Sequence, residues 1–274
     1  MSDLPLRVLV LGAHPDDAEY HSGGLAALHC ERGNVVKLVS VTDGGAGHHQ
    51  LAPETLVDVR RREAHAAGQV LGVEYVTWDY PDGALQPSLE VRQSIIREIR
   101  SFRADLVLTH RPNDYHPDHR AVGQAVQDAS YLVTVPHVVP DVAALEQDPV
   151  VAYMPDLFTR PYPLQPDVIV DISSKLDVIV DMLNCQASQV YEWLPYISGN
   201  LSQVPQDPEQ RLIWLKGSLQ EHIRGRADRF RETLCQRFGN ERGGSLNCIE
   251  VYEISEYASA LTTERRQHLF PTGV

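Results

Sequence analysis

Two short polar stretches hold the residues with the most chemistry. AHPDDAE (13–19) offers His14, Asp16, Asp17 and Glu19, and HRPNDYHPDHR (110–120) offers His110, Asp114, His116, Asp118 and His119. Imidazole nitrogens and carboxylate oxygens are the donor set of zinc. A catalytic zinc takes three protein ligands and leaves the fourth tetrahedral position to water. His14 and Asp17, three residues apart, can turn to one point around a tight loop, and His119 can supply a third ligand from the second stretch. Asp16 is then a spare carboxylate beside the metal, in the position of a general base. His116 stands one helical turn before His119, at an expected helix N-terminus. Taken singly, each motif also has a structural reading. Asp16 and Asp17 could cap the following helix, Asp118 could cap its own, and HPDH could be a plain helix start. Two such clusters, each behind an apolar strand, favour the site.

The elements that position these loops can be read from the periodicity. LRVLVLG (6–12) is a continuous apolar run, expected of a strand buried on both faces. A helix is expected over 23–33, a strand over 34–42, a helix over 54–72, a short strand over 74–78, an amphipathic helix over 89–103, a strand over 105–110 and a helix over 116–133. Strands alternating with helices imply right-handed crossovers and a parallel sheet. The fold class is α/β: a Rossmann-like, mostly parallel sheet with flanking helices, its core at about residues 5–185. The loops leaving the carboxyl ends of the strands then form the ligand crevice, and both clusters lie in such loops. Residues 134–166 are rich in Pro without a sustained period and read as an ordered insertion wrapping the site. DVIVDIS (167–173) returns to strand pattern, two helices are expected over about 174–193 and 208–237, and a last strand over 246–255. One domain over 1–274 is expected, with a largely helical part over 186–274.

Composition narrows the function classes. The 274 residues hold 24 Lys and Arg against 37 Asp and Glu, a formal charge of −13, which disfavours a nucleic-acid partner. Hydrophobic residues at 43% and charged ones at 22% are ordinary for a globular chain and argue against disorder. No run approaches the roughly 18 apolar residues of a membrane span. The first apolar run reads as a strand and not as a signal peptide. The cysteines Cys30, Cys185, Cys235 and Cys248 are scattered without a CxxC, as expected of reduced thiols in a cytoplasmic protein.

AHPDDAE behind the first strand and HPDH behind the fourth together resemble the PIG-L (LmbE-like) zinc-dependent N-deacetylase family. VTDGGAG (41–47), RRREAHAAGQVLGV (60–73) and YPDGAL (80–85) support the resemblance. It covers residues 5–125 well and the rest loosely. It implies hydrolysis of acetamides on N-acetylated amino sugars or N-acetylglucosamine conjugates, one Zn2+ per chain with other divalent ions open, and a homo-oligomer. By resemblance His14, Asp17 and His119 are the metal ligands, Asp16 the general base, and His116 the histidine that stabilises the oxyanion in protonated form. Arg60 falls where an arginine on the second helix meets substrate. Asp114 is expected either as a substrate contact or as the carboxylate that holds a neighbouring His ring. One departure is Ala18, which separates Glu19 from the Asp pair where many members have Glu directly.

Other readings are weaker. A phosphoesterase or a general amidase could use the same loops, but two-metal phosphoesterases need more bridging carboxylates. A dinucleotide-binding module would show G-x-G-x-x-G after the first strand, where this chain has GAHPDD. A binding protein that has lost catalysis would not need Asp16 and all three ligand candidates. His48 and His49 read as solvated loop histidines. Tyr191, Trp193 and Tyr196 form an aromatic cluster of the kind on which sugars often lie, but packing or a subunit contact is the favoured reading.

Overall fold

Strand β1 (Arg7–Gly12) is buried on both faces. Val8 and Val10 enter one hydrophobic cluster, and Leu9 and Leu11 enter the other. This two-residue alternation between two cores makes the run continuously apolar. The structure, a computed structural model, describes residues 4–273. After β1 come α1 (Asp17–Glu31), β2 (Val35–Thr42), α2 (Pro53–Leu71), β3 (Glu74–Tyr80), α3 (Leu89–Phe102), β4 (Leu106–Thr109) and α4 (Pro117–Ala129). Then follow β5 (Val150–Tyr153), β6 (Val168–Asp171), α5 (Leu176–Asn184), α6 (Leu194–Ile197), α7 (Pro208–Arg229), α8 (Arg231–Phe238), α9 (Asn240–Ser245), β7 (Ile249–Ile254) and α10 (Thr263–Leu269).

The seven strands form one sheet in the order β3-β2-β1-β4-β5-β7-β6. β3, β2, β1, β4 and β5 are parallel, while β7 runs antiparallel between β5 and β6. The chain leaves β1 toward β2 on one side, and β4 returns on the other. The strand order therefore reverses at β1–β4, where such sheets open a crevice. Leu11 pairs with Thr109, so the loops behind these strands emerge side by side although about a hundred residues separate them.

Helices α3 and α4 cover one face of the sheet through Val91, Ile95, Ile96, Ile99, Val122 and Val126. Helices α1, α2, α5 and α7 cover the other, with Leu25, Ala64, Ile179 and Leu219 among the buried contacts. Four expectations are corrected. Helix α1 begins at Asp17 and not near residue 23, because the chain turns into helix straight after the loop Ala13–Asp16. Gly12 permits that turn, since a Cβ there would lie 2.8 Å from Asp17 Cβ. The sheet is not confined to 5–185: β7 inserts between β5 and β6.

The insertion differs most from expectation. Its VVAY is the interior strand β5, too short to show a period. The segment before β5 does not reach the crevice. It wraps the buried Arg100 of α3, whose guanidinium donates to the carbonyls of Leu132, Val133, Val135, Val138, Val139 and Val142. The helix expected over 174–193 is also broken. α5 ends at Asn184, and Ser188–Trp193 forms a π-helical turn leading into α6.

Candidate metal centre and its base

The loop Ala13–Asp16 is anchored from β2. The Ala13 carbonyl accepts from Thr42 N–H at 2.8 Å, Thr42 Oγ1 at 2.8 Å and Ser40 Oγ at 3.1 Å. From it His14 meets Asp17 and His119. His14 Nδ1 lies 3.5 Å from Asp17 Oδ2 and 3.3 Å from His119 Nε2, and His119 Nε2 lies 3.3 Å from Asp17 Oδ1. Ligands about 2.0–2.1 Å from a tetrahedral zinc stand about 3.3–3.4 Å apart. His14 meets Asp17 through Oδ2 and His119 meets it through Oδ1, each near that spacing. Among the described residues the donor sets with all atoms within 4.8 Å of one another are His14–His116–His119, Asp17–His110–His119 and His14–Asp82–Asp118. The three residues thus sit in an overlapping cluster of nitrogen and carboxylate donors whose chemistry suits zinc.

The outward ring nitrogens have partners too. His14 Nε2 lies 3.1 Å from Asp82 Oδ1 and 3.3 Å from Asp118 Oδ2, and His119 Nδ1 lies 3.1 Å from Asp114 Oδ1. Such carboxylates fix which nitrogen faces a metal and raise ring basicity. Burial alone would lower the His14 pKa, but contacts with Asp118, Asp17 and Asp82 raise it well above the usual value. His119 is likewise lifted against burial to about 9 by the Asp17 charge and the Asp114 contact. Burial opposes ionisation of Asp17, yet His119 and His110 hold its carboxyl well below the usual range. The triangle is built to hold positive charge at one point.

Asp16 stands outside the triangle. Its φ is 108° and its side chain makes no capping hydrogen bond, which excludes the helix-cap reading. A non-glycine residue at positive φ is strained, and such strain gathers at functional sites. Its N–H donates to Tyr75 Oη at 3.0 Å, and its Oδ2 lies 3.2 Å from Arg60 Nη2. Burial pushes its carboxyl up to about 7, with the Arg60 charge opposing.

Arg60 itself is fully buried. Its guanidinium also bonds the Pro15 carbonyl, and donates to Glu63 Oε2 and Gln186 Oε1, each at 2.9 Å. It lines the cavity, but its donors are committed to the base and its surroundings rather than offered to a substrate. Asp114 lies outside the cavity that Arg60 lines and borders a second one with Tyr115, His119 and Phe158. It sits behind His119 and accepts the His116 N–H at 3.1 Å, while the cavity over the triangle is lined by other residues.

His116 caps α4. Its Nδ1 accepts the Asp118 N–H at 3.2 Å, so the ring proton resides on Nε2. Burial and the neighbouring His14 and His119 lower its pKa. In this geometry Nδ1 accepts and Nε2–H is the ring's free donor, while burial and the two neighbouring imidazoles disfavour added positive charge on it. Its rings lie 4.5 Å from His14 and 5.2 Å from His119 between centroids.

The cavity over these groups has a volume of about 290 Å³. His14, Asp16, Asp17 and His116 line one side, and Trp193 and Ile197 line the other. Several residues here escaped the sequence reading. Asp118 is not its helix's cap. It accepts from Gly83 N–H at 2.7 Å and Leu85 N–H at 3.1 Å, tying the turn behind β3 to His14. Asp82 sits in that turn, and its signal was the PDG behind a third strand on the same sheet edge. His110, quoted with its cluster but given no role, lies 3.0 Å from Asp17 Oδ2 and stacks on His119 at 3.8 Å. Glu19 accepts from Tyr75 Oη at 3.1 Å and Gln186 Nε2 at 2.6 Å. His48 and His49 are not solvated: His48 lies 2.9 Å from Glu192, and His49 stacks on Tyr196.

The family model described as GlcNAc-PI de-N-acetylase, PIG-L, matches residues 9–130, which include every donor of the triangle. Residues 9–130 are thus similar to that family. The chain's mixed, mostly parallel sheet is also that of the N,N'-diacetylchitobiose deacetylase from Pyrococcus horikoshii, at a TM-score of 0.69 and 23% identity over 92% of this chain and 84% of the other. A 4-oxalmesaconate hydratase from Pseudomonas putida is 26% identical over 69% of this chain and 76% of its own length. A probable N-acetyl-alpha-D-glucosaminyl L-malate deacetylase 2 from Bacillus anthracis is 30% identical over 47% of this chain and 61% of its own length. The PIG-L match ends before Gln186, Gln189 and Trp193, so part of the cavity wall comes from outside it. No described helix is long and apolar enough to cross a membrane.

Proposed function

We propose that this chain is a zinc-dependent hydrolase that removes the acetyl group from an N-acetylated amino sugar or a small N-acetylglucosamine conjugate. The observation that carries the reading is the donor triangle with a fourth, unligated carboxylate beside it. His14 Nδ1, Asp17 and His119 Nε2 would hold one ion, with Asp82, Asp118 and Asp114 orienting the two rings. That ion supplies Lewis acidity toward an acetamide carbonyl and acidifies a water at its open position.

Asp16 takes the proton of the attacking water. A base with a pKa near the working pH can accept a proton and return it, and Asp16, near 7, has that balance. It then delivers the proton to the nitrogen of the leaving amine, which cannot depart as an anion. The C–N bond breaks and acetate and free amine result. His116 Nε2–H donates to the carbonyl oxygen as negative charge develops there. Arg60 fixes the Asp16 carboxylate and keeps part of it ionised.

A second reading is hydration of an unsaturated acid, favoured by the breadth of the match to the Pseudomonas putida hydratase. The same base could deliver water to a conjugated double bond. A polyanionic substrate would call on free cations, and Arg60 is already committed to Asp16 and Glu63. The deciding experiment gives zinc-loaded protein a panel of N-acetylated glucosaminides and, in parallel, unsaturated dicarboxylic acids. Acetate release with stoichiometric amine supports the deacetylase. Loss of the diene absorbance with no acetate from any acetamide would replace it by the hydratase.

A further inference from the structure

The segment Ser188–Trp193, beyond the PIG-L match, contributes Gln189 and Trp193 to the cavity lining. In this π-helical turn the backbone bonds span one residue more than in an α-helix. Such turns are rare and frequently sit at functional sites. This one is held from several sides. Ser188 donates to Glu63, the partner of Arg60, through both its N–H and its Oγ at 2.7 Å. Gln189 Nε2 donates to the Gly47 carbonyl at 2.9 Å, and Glu192 Oε2 lies 2.9 Å from His48 Nε2.

Gln189 and Trp193, four residues apart, both line the cavity. Trp193 stands at one end of a column of rings. Its centroid is 5.9 Å from Tyr196 at 23°, Tyr196 is 4.0 Å from His49 at 6°, and His49 is 4.9 Å from His48 at 20°. An indole held in such a column is ordered before any ligand arrives, so stacking on it carries little further entropy cost. Gly47 faces it. A Cβ at Gly47 would lie 3.5 Å from Trp193 Nε1, so the missing side chain keeps a slot open beside the indole.

We infer that Trp193 is a specificity-determining residue of this site, the platform for a neutral pyranose ring that carries the leaving amine. This rests on the deacetylase reading and adds the residue that holds the sugar ring in place. Trp193, Leu194 and Ile197 form an apolar wall, while Gln189, Asp82 and the backbone of Gly44–Gly47 form a polar rim. A pyranose has the same two-sidedness, with a C–H face for the indole and equatorial hydroxyls for the rim. An open-chain amine of the same formula lacks the flat face. At about 290 Å³ the cavity takes one ring, and a further unit of a conjugate projects outward.

The test measures binding apart from turnover. Calorimetry compares methyl glucosaminide with open-chain glucosaminitol, neither of which can be deacetylated. The ring should bind about tenfold tighter to the wild type. Trp193→Ala should remove that preference, weakening the ring about tenfold and leaving the open chain unchanged, while Trp193→Phe keeps most of it. Gly47→Ala retains the indole but fills the slot beside it, and should weaken the ring in the same way. With N-acetylated pyranosides, Trp193→Ala should raise KM about tenfold and leave kcat within twofold. Unchanged ring affinity in both Trp193→Ala and Gly47→Ala, or an equal loss for ring and open chain, would overturn the inference. Trp193-dependent ring binding without acetate release from any acetamide would instead remove the deacetylase reading and leave the platform standing. Acetate release with equal KM in wild type and Trp193→Ala would do the reverse.

Discussion

Replacing Asp16 by Asn isolates the proposed base. Asn keeps the shape and an oxygen for Arg60, and it tolerates positive φ better than other side chains apart from Gly. What disappears is the ability to take a proton. General-base catalysis contributes about 10²–10⁴-fold, or about 2.7–5.4 kcal/mol of barrier. The donor triangle does not include Asp16, so metal content should stay near one ion per chain. The same substitution should stabilise the metal-free protein. The Asp16 carboxyl titrates at about 7 in the fold against 3.8 unperturbed. Its folded pKa is raised, so its contribution to stability is full below the unfolded value and is lost as pH rises through about 7. About three units at 1.36 kcal/mol each bound the loss at about 4 kcal/mol by pH 8, shrinking to under about 2 kcal/mol at pH 5. Calorimetric melting of both metal-free proteins should show Asp16→Asn melting higher at pH 8, with a smaller gap at pH 5. In the wild type kcat/KM should fall on the acid side with a midpoint at or below about 7, because a nearby cation lowers a carboxyl pKa. Near wild-type kcat in Asp16→Asn with metal bound would refute the base. Loss of metal would show that Asp16 and Asp17 have been given each other's roles.

Five further outcomes are expected. His116→Asn keeps a capping side chain for α4 but removes the oxyanion donor, so kcat should drop about 10²–10³-fold with little change in melting temperature. Asp114→Asn should weaken metal affinity about 10–100-fold in a competition titration, because Asp114 is the carboxylate beside His119 Nδ1. Asp82→Asn should cost under about tenfold, since Asp118 still faces His14 Nε2. Stripping the metal with a chelator should lower thermal stability, by about 4 kcal/mol relative to protein held at a thousandfold excess of metal over its Kd, and an unchanged melting curve would count against a resident ion. Arg100→Met removes the donor to six carbonyls and should destabilise the fold by about 3 kcal/mol while leaving kcat unchanged, as read by denaturant titration and a steady-state assay.

Much of this protein is legible without coordinates because its strongest signals are local. The runs at 6–12 and 34–42 are largely apolar because their strands bury most of both faces, and the helix at 89–102 shows its buried stripe of Val91, Ile95, Ile96 and Ile99. The donors His14, Asp17 and His119 could be singled out because metal ligation demands particular side chains, and strand-to-loop boundaries put them on one sheet edge. Strand β5 was lost among prolines because four buried residues carry no period. The roles of the second rank of residues belong to the tertiary structure alone. Whether Asp118 caps a helix or holds His14, whether Arg60 meets substrate or the base, and which His116 nitrogen carries the proton depend on contacts between segments far apart in the chain. The wall at Trp193 is the extreme case. Nothing in YEWLPY marks it as part of a cavity whose other side is written at residues 14–17, until α5 and the π-helical turn dock it beside Gly47.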